Sequence, residues 1–297
     1  MSATADVARS FEPDAEAPTV RGRRLRPHGA DVVGLAFIAL IIAMALLAPV
    51  IAGHDPNEGS IRDRLAPPVF AGGDWAHWLG TDRQGRDVWA RIAWGSQVTL
   101  LIGVTAVLVG GLVGVTAGVL AGYLGGWVDL VIGRLADIQQ AIPFLILTLA
   151  VVAVLGASLV NLVLVLGIGS WIYSYRVVRG EVLRVRERAF IEAARVLGAT
   201  HGRILARHLL PNVLPSVIVV TTLFVPQVII FTAGLSFLGL GVPPDVPEWG
   251  RLIADGTEYL QIAPWLTVAP SVFLVVTVIG VNLVGDWLRD VLDPRLR

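Results

Sequence analysis

Six apolar runs dominate this chain and limit what it can become. They lie near Val32 to Ala52, Val98 to Leu120, Leu130 to Leu155, Leu159 to Val178, Val213 to Leu238 and Leu266 to Asp286. A helix rising about 1.5 Å per residue needs about 20 apolar residues to cross a hydrocarbon core about 30 Å thick. Each run meets that length. No water is present in such a core, so backbone N–H and C=O groups must pair within the segment, and the runs are predicted as helices. Composition agrees, with 55% hydrophobic and 15% charged residues against about 25% charged in soluble domains. The expected fold class is an all-α integral membrane protein with six transmembrane helices. The first run is longer than the apolar stretch of a secretory leader and has no convincing small-residue cleavage site before His54, so it reads as a span.

Arginine placement orients these spans. Arg9, Arg21, Arg23, Arg24 and Arg26 precede the first, which puts the N-terminus in the cytoplasm by the positive-inside rule. Six crossings return the C-terminus, with Arg289, Arg295 and Arg297, to the same side. Between Tyr175 and Pro211 a further eight arginines fall inside, and six lie in the two long outer loops. The expected organisation is a cytoplasmic tail over 1–30, a first span over 31–53, an extracytoplasmic loop over 54–96, a five-helix core over 97–287 and a cytoplasmic tail over 288–297. The first 20 residues, rich in Ala, Glu, Asp and Pro, read as a disordered tail.

The longest polar insertion in the core, Glu187 to Pro211, is built like a docking surface. Arg188, Glu192 and Arg195 fall on one helical side and Phe190, Ala194 and Leu197 on another. Gly198 breaks this helix, Thr200 is placed to cap a second one through Ile204, Leu205 and Leu209, and Pro211 is expected to end or kink it. Glu192 has Arg188 and Arg195 within reach on its own helix. Gly103, Gly110, Gly114, Gly118 and Gly122 recur on one face of the second run, suited to close packing against another helix.

The remaining polar groups exclude more than they assign. The sequence has neither cysteine nor lysine, so it carries no thiolate chemistry and no lysine-dependent P-loop. No Gly-x-Ser-x-Gly or His-Glu-x-x-His pattern occurs, and an enzyme is not expected. His54 with Asp55, and His77, lack a recurring metal-ligand spacing, so no metal site is expected. Arg134 and Asp137 are read as neutralising each other near the inner end of the third run. Asn161, Gln227 and Asn282 are the candidate polar groups of a translocation pathway, and Pro143 and Pro226 are candidate kinks. Outside, Asp82, Arg83, Arg86, Asp87 and Arg91 with Trp75, Trp78, Trp89 and Trp94 are read as ion-paired and interface-anchoring. The Leu235 to Gly256 region fits a loop cap, an external gate or a partner platform.

Several motifs together resemble one family. Glu192-Ala193-Ala194, then Gly198, then Leu210-Pro211, resembles the EAA loop of type I bacterial ABC importer permeases. Gly80 to Asp87, Leu235 to Gly241 with Trp249-Gly250, and Asn282 to Arg295 resemble the C-type permease of dipeptide and oligopeptide importers. His208, where many importers have isoleucine, matches the peptide branch. The resemblance implies a type I importer permease fold in which 97–287 is the core domain and 187–211 forms cytoplasmic coupling helices. It implies Glu192, Ala193, Ala194, Gly198, Ile204, Leu210 and Pro211 as ATPase-coupling residues. It also implies a second, homologous permease, two cytoplasmic ATPases that hold ATP and magnesium, and an external binding protein, with no cofactor in this chain itself. The expected site of action is the bacterial inner membrane. Nickel and glutathione permeases share these motifs and remain alternative readings, with a secondary transporter a more remote one.

Overall fold

The structure is a computed structural model describing residues 29–292; the expected terminal tails lie mostly outside those residues. The described chain is helical, with α1 over Gly29–Ile51, α2 over Val88–Leu124, α3 over Gly126–Gln140, α4 over Phe144–Leu155 and α5 over Leu159–Arg186. There follow α6 over Ala189–Val196, α7 over His201–Ile204, α8 over Leu210–Phe237, α9 over Trp249–Thr257 and α10 over Trp265–Leu292. By length and composition α1, α2, α5, α10 and the helix running from His201 to Phe237 are each able to cross a membrane.

The third run is not one helix. α3 and α4 meet at 85°, so the expected continuous helix from Leu130 to Leu155 is corrected to a sharply bent pair of helices. Pro143 lacks an N–H and disfavours helical backbone at Ile142. The break is then held from α5: Gln139 donates to the Gly169 carbonyl at 2.7 Å and accepts from the Trp171 indole at 2.8 Å. The expected Arg134–Asp137 pairing is likewise replaced, since Asp137 faces Arg176 of α5 at 3.6 Å.

Glycines set the central packing. The expected small-residue face of α2 turns inward: Gly110, Gly114, Gly118 and Gly122 lie against α5, and Gly103 against Ile229 of α8. A Cβ at Gly110 would stand 2.1 Å from Ser170 Oγ and 2.5 Å from the Gly167 carbonyl oxygen. The backbones are therefore as close as glycine permits. α1 closes on α10 in the same way, with Gly34 beside Leu283 and Gly280 beside Phe37. Leu46, Val50, Leu112 and Val154 remain exposed on the outer faces, an apolar surface suited to a bilayer.

Candidate functional site

The 187–211 segment is an outward-facing tip fixed on a buried base. α6 ends in a Schellman motif: Gly198 has φ +81° and donates to the Arg195 carbonyl at 3.0 Å, and Ala199 donates to the Ala194 carbonyl at 3.0 Å. Glycine adopts this left-handed backbone without the steric penalty of a Cβ. Thr200 Oγ1 accepts from the Arg203 N–H at 3.4 Å and caps α7, as its position in the sequence suggests. Of the two outcomes expected at Pro211, an end or a kink, the helix does not end there. Instead Leu205–Leu209 forms a π turn and the helix continues as α8, with Pro211 in its first turn. The wider turn relieves the clash between the proline ring and the carbonyl four residues back, and the Asn212 amide donates to the His208 carbonyl at 2.7 Å.

The base is apolar. Ile191, Ile204 and Leu209 are fully buried among Tyr123, Val178, Val182, Val185 and Val213. Ile204, one of the residues the resemblance implies in coupling, is therefore part of the base that fixes the segment to α2, α5 and α8. Tyr123 adds polar links, its hydroxyl 2.7 Å from His201 Nδ1 and its ring 5.8 Å below the Arg195 guanidinium. Arg186 donates to the Gly122 carbonyl at 2.8 Å. Sequence reasoning passed over Tyr123, Ile191 and Arg186. An aromatic hydroxyl at the end of an apolar run was the available signal for Tyr123.

The tip is exposed. Val196 and Leu197 are 83% and 86% accessible, and Glu192, Ala193, Gly198, Leu210 and Pro211 are also exposed, with Ala194 half-buried. Two bulky aliphatic side chains stand free at the tip beside the Glu192 carboxylate. Among the described residues Glu192 forms no ion pair with Arg188 or Arg195. His208 is half-buried with its ring 6.2 Å from Phe190.

The opposite end of the bundle is tied together by ions and tryptophans. Asp82 accepts from Arg86 Nε at 2.7 Å and Arg91 Nη1 at 2.6 Å, and from the N–H groups of Gln84 and Arg86. Burial pushes its carboxyl up, but Arg91 and Arg86 outweigh that and hold it below the usual carboxylate range. Trp89 donates to the Ile51 carbonyl at 2.8 Å and packs on Trp78, so these groups act as internal ties. Trp249 is fully buried and donates to the Ile92 carbonyl at 3.0 Å, while Glu248 caps α9 through the Gly250 and Arg251 N–H groups. Burial raises the Glu248 carboxyl above its ordinary range. Trp249 thus folds the Leu235 to Gly256 region back onto the bundle as a cap. His54, His77 and Asp87, 23 and 10 residues apart in sequence, converge here.

The pathway candidates are scattered. Asn161 donates to the carbonyls of Leu155 and Gly156 at 2.9 and 3.0 Å and so closes the α4–α5 turn. Gln227 on α8 and Asn282 on α10 are exposed on this chain.

Residues 114–297 match the family described as the binding-protein-dependent transport system inner membrane component, and residues 22–68 match the N-terminal TM domain of oligopeptide transport permease C. The chain belongs to this permease family. It is 38% identical over 275 residues to the dipeptide transport system permease of Alkalihalophilus pseudofirmus, covering 93% of this chain and 89% of that one. The oligopeptide transport system permease of Escherichia coli K12 is 40% identical, with 93% and 90% covered. The glutathione transport system permease of Pectobacterium atrosepticum is 41% identical at the same coverage. A chain from an inward-facing MetNI methionine ABC transporter superposes with TM-score 0.55 at 22% identity, covering 68% of this chain and 96% of that one, which places the fold. It is the type I importer permease fold in a multi-pass inner-membrane protein.

Proposed function

We propose that this chain is one permease subunit of an ATP-driven importer of dipeptides or oligopeptides. It forms half of a translocation pathway with a homologous permease and receives substrate from an external binding protein. Its 187–211 segment seats on one of two cytoplasmic ATPases, which hold the ATP and magnesium. Both termini are then cytoplasmic. The observation that carries the coupling role is the rigid tip: exposed Val196 and Leu197, ended by Gly198 at φ +81° and anchored through Ile191 and Ile204 to the long helices. Such a lever moves α2, α5 and α8 when its partner closes. No chemistry is required of it.

Peptide transport is supported by the names of the dipeptide and oligopeptide relatives. A second reading, glutathione as cargo, is favoured by the 41% identity to the Pectobacterium permease. Uptake by the reconstituted system, with either labelled dipeptide or glutathione competing, separates the two.

Gly198→Val tests the lever. A β-branched residue at φ +81° is strained, and the α6–α7 turn must rearrange. The expected result is normal membrane insertion with ATP hydrolysis uncoupled from uptake. Wild-type uptake together with normal substrate-stimulated hydrolysis would overturn the assignment.

A further inference from the structure

We infer that His54, His77 and Asp87 form a binding site for a divalent transition metal of the zinc class, clamping the end of α1 to the start of α2. His54 follows α1, His77 ends the helical turn Trp75–His77, and Asp87 is the N-cap of α2. One ligand atom from each lies within 4.8 Å of the others. His77 Nδ1 stands 2.7 Å and His54 Nδ1 3.8 Å from the same carboxylate oxygen, Oδ2, with the two rings 4.9 Å apart. The other oxygen, Oδ1, accepts from the Ala90 N–H at 2.7 Å and fixes the carboxylate in place.

A hydrogen-bonded His77–Asp87 pair has no need of a second imidazole directed at the same oxygen. A tetrahedral ion with bonds of about 2.0 to 2.2 Å holds its ligand atoms about 3.3 to 3.6 Å apart. The two imidazoles stand 2.7 and 3.8 Å from the shared carboxylate oxygen and all three ligand atoms lie within 4.8 Å of one another, so side-chain shifts of about 1 Å complete the site. Asp87 is 3% exposed, His77 21% and His54 48%, a gradient from a fixed floor to an open mouth. The mouth admits the ion and leaves a fourth position for water. Two imidazole nitrogens with one carboxylate suit zinc, cobalt or nickel, whereas calcium and magnesium favour oxygen ligands throughout. Binding displaces protons from the ligands, so affinity falls on acidification.

The test uses the full-length, chelator-stripped chain in lipid nanodiscs without a polyhistidine tag. Zinc is titrated calorimetrically and cobalt serves as the spectroscopic probe. One equivalent of zinc, tetrahedral-type cobalt absorption and an upward shift of the thermal transition are expected. His54→Gln removes an exposed ligand, and Asp87→Asn keeps an amide oxygen to cap α2 while losing the carboxylate. Each is expected to weaken zinc binding by about tenfold or more. Sub-stoichiometric binding by the wild type, octahedral cobalt spectra, or wild-type affinity in both variants would overturn the site.

Discussion

Asp82 accepts from four donors at once, and its loss should be felt throughout the outer cluster. Its folded pKa lies below the ordinary value of 3.8, so the folded state binds fewer protons there than the unfolded chain. The resulting stabilisation is present above 3.8 and is lost as pH falls through the folded value. Asp82→Asn removes the carboxylate hydrogen-bonded to buried Arg91, leaving only the more distant charge of Asp255, at a cost of up to about 3–5 kcal/mol. The variant should melt lower at neutral pH and lose less on acidification; an unchanged acid limb in pH-dependent melting would refute the pairing. The ion pairing was legible in the sequence as opposite charges crowded between Asp82 and Arg91. The buried seat of Ile204 was not legible, because a periodic apolar residue looks the same whether it meets a partner or its own core.

At the scale of elements, the α2–α5 contact depends on the absence of side chains. Gly110→Ala places a methyl group against Ser170 and the Gly167 carbonyl and should destabilise by about 1–3 kcal/mol. Gly180→Ala on α5 meets nothing within 4 Å and should be neutral or stabilise by about 0.5–1 kcal/mol. Thermal denaturation of both variants decides, and equal effects would contradict the packing. The runs of apolar residues revealed where the spans are but not where the helices stop. α2 starts at Val88 because Asp87 caps it, and α5 outlasts its apolar run to Arg186. Nor does proline alone mark a break. Pro215, Pro226 and Pro270 sit inside helices, whereas Pro143 ends one where Gln139 is gripped by Gly169 and Trp171, residues distant in sequence.

Over the whole molecule, α2 joins both ends. Its 37 residues span about 55 Å, from the Asp87 cap to Tyr123, which holds His201 beneath the exposed tip. Tyr123→Phe should cost only about 0.5–1.5 kcal/mol of stability but lower uptake per ATP hydrolysed in reconstituted vesicles. An unchanged ratio would show that the α2–α7 link carries no coupling. The family motifs made the 187–211 segment recognisable from sequence, while its seating on α2 and α5 depended on contacts that only the fold brings together. In the function we propose, this segment seats on a separate ATPase inside the cell. Because the sequence has no cysteine, Leu197→Cys gives this chain a single thiol at the tip. In membranes containing the assembled transporter, bifunctional cross-linking from Cys-substituted position 197 should capture an ATPase subunit. Labelling of that thiol by an impermeant reagent from outside intact cells, with no ATPase captured, would contradict the account.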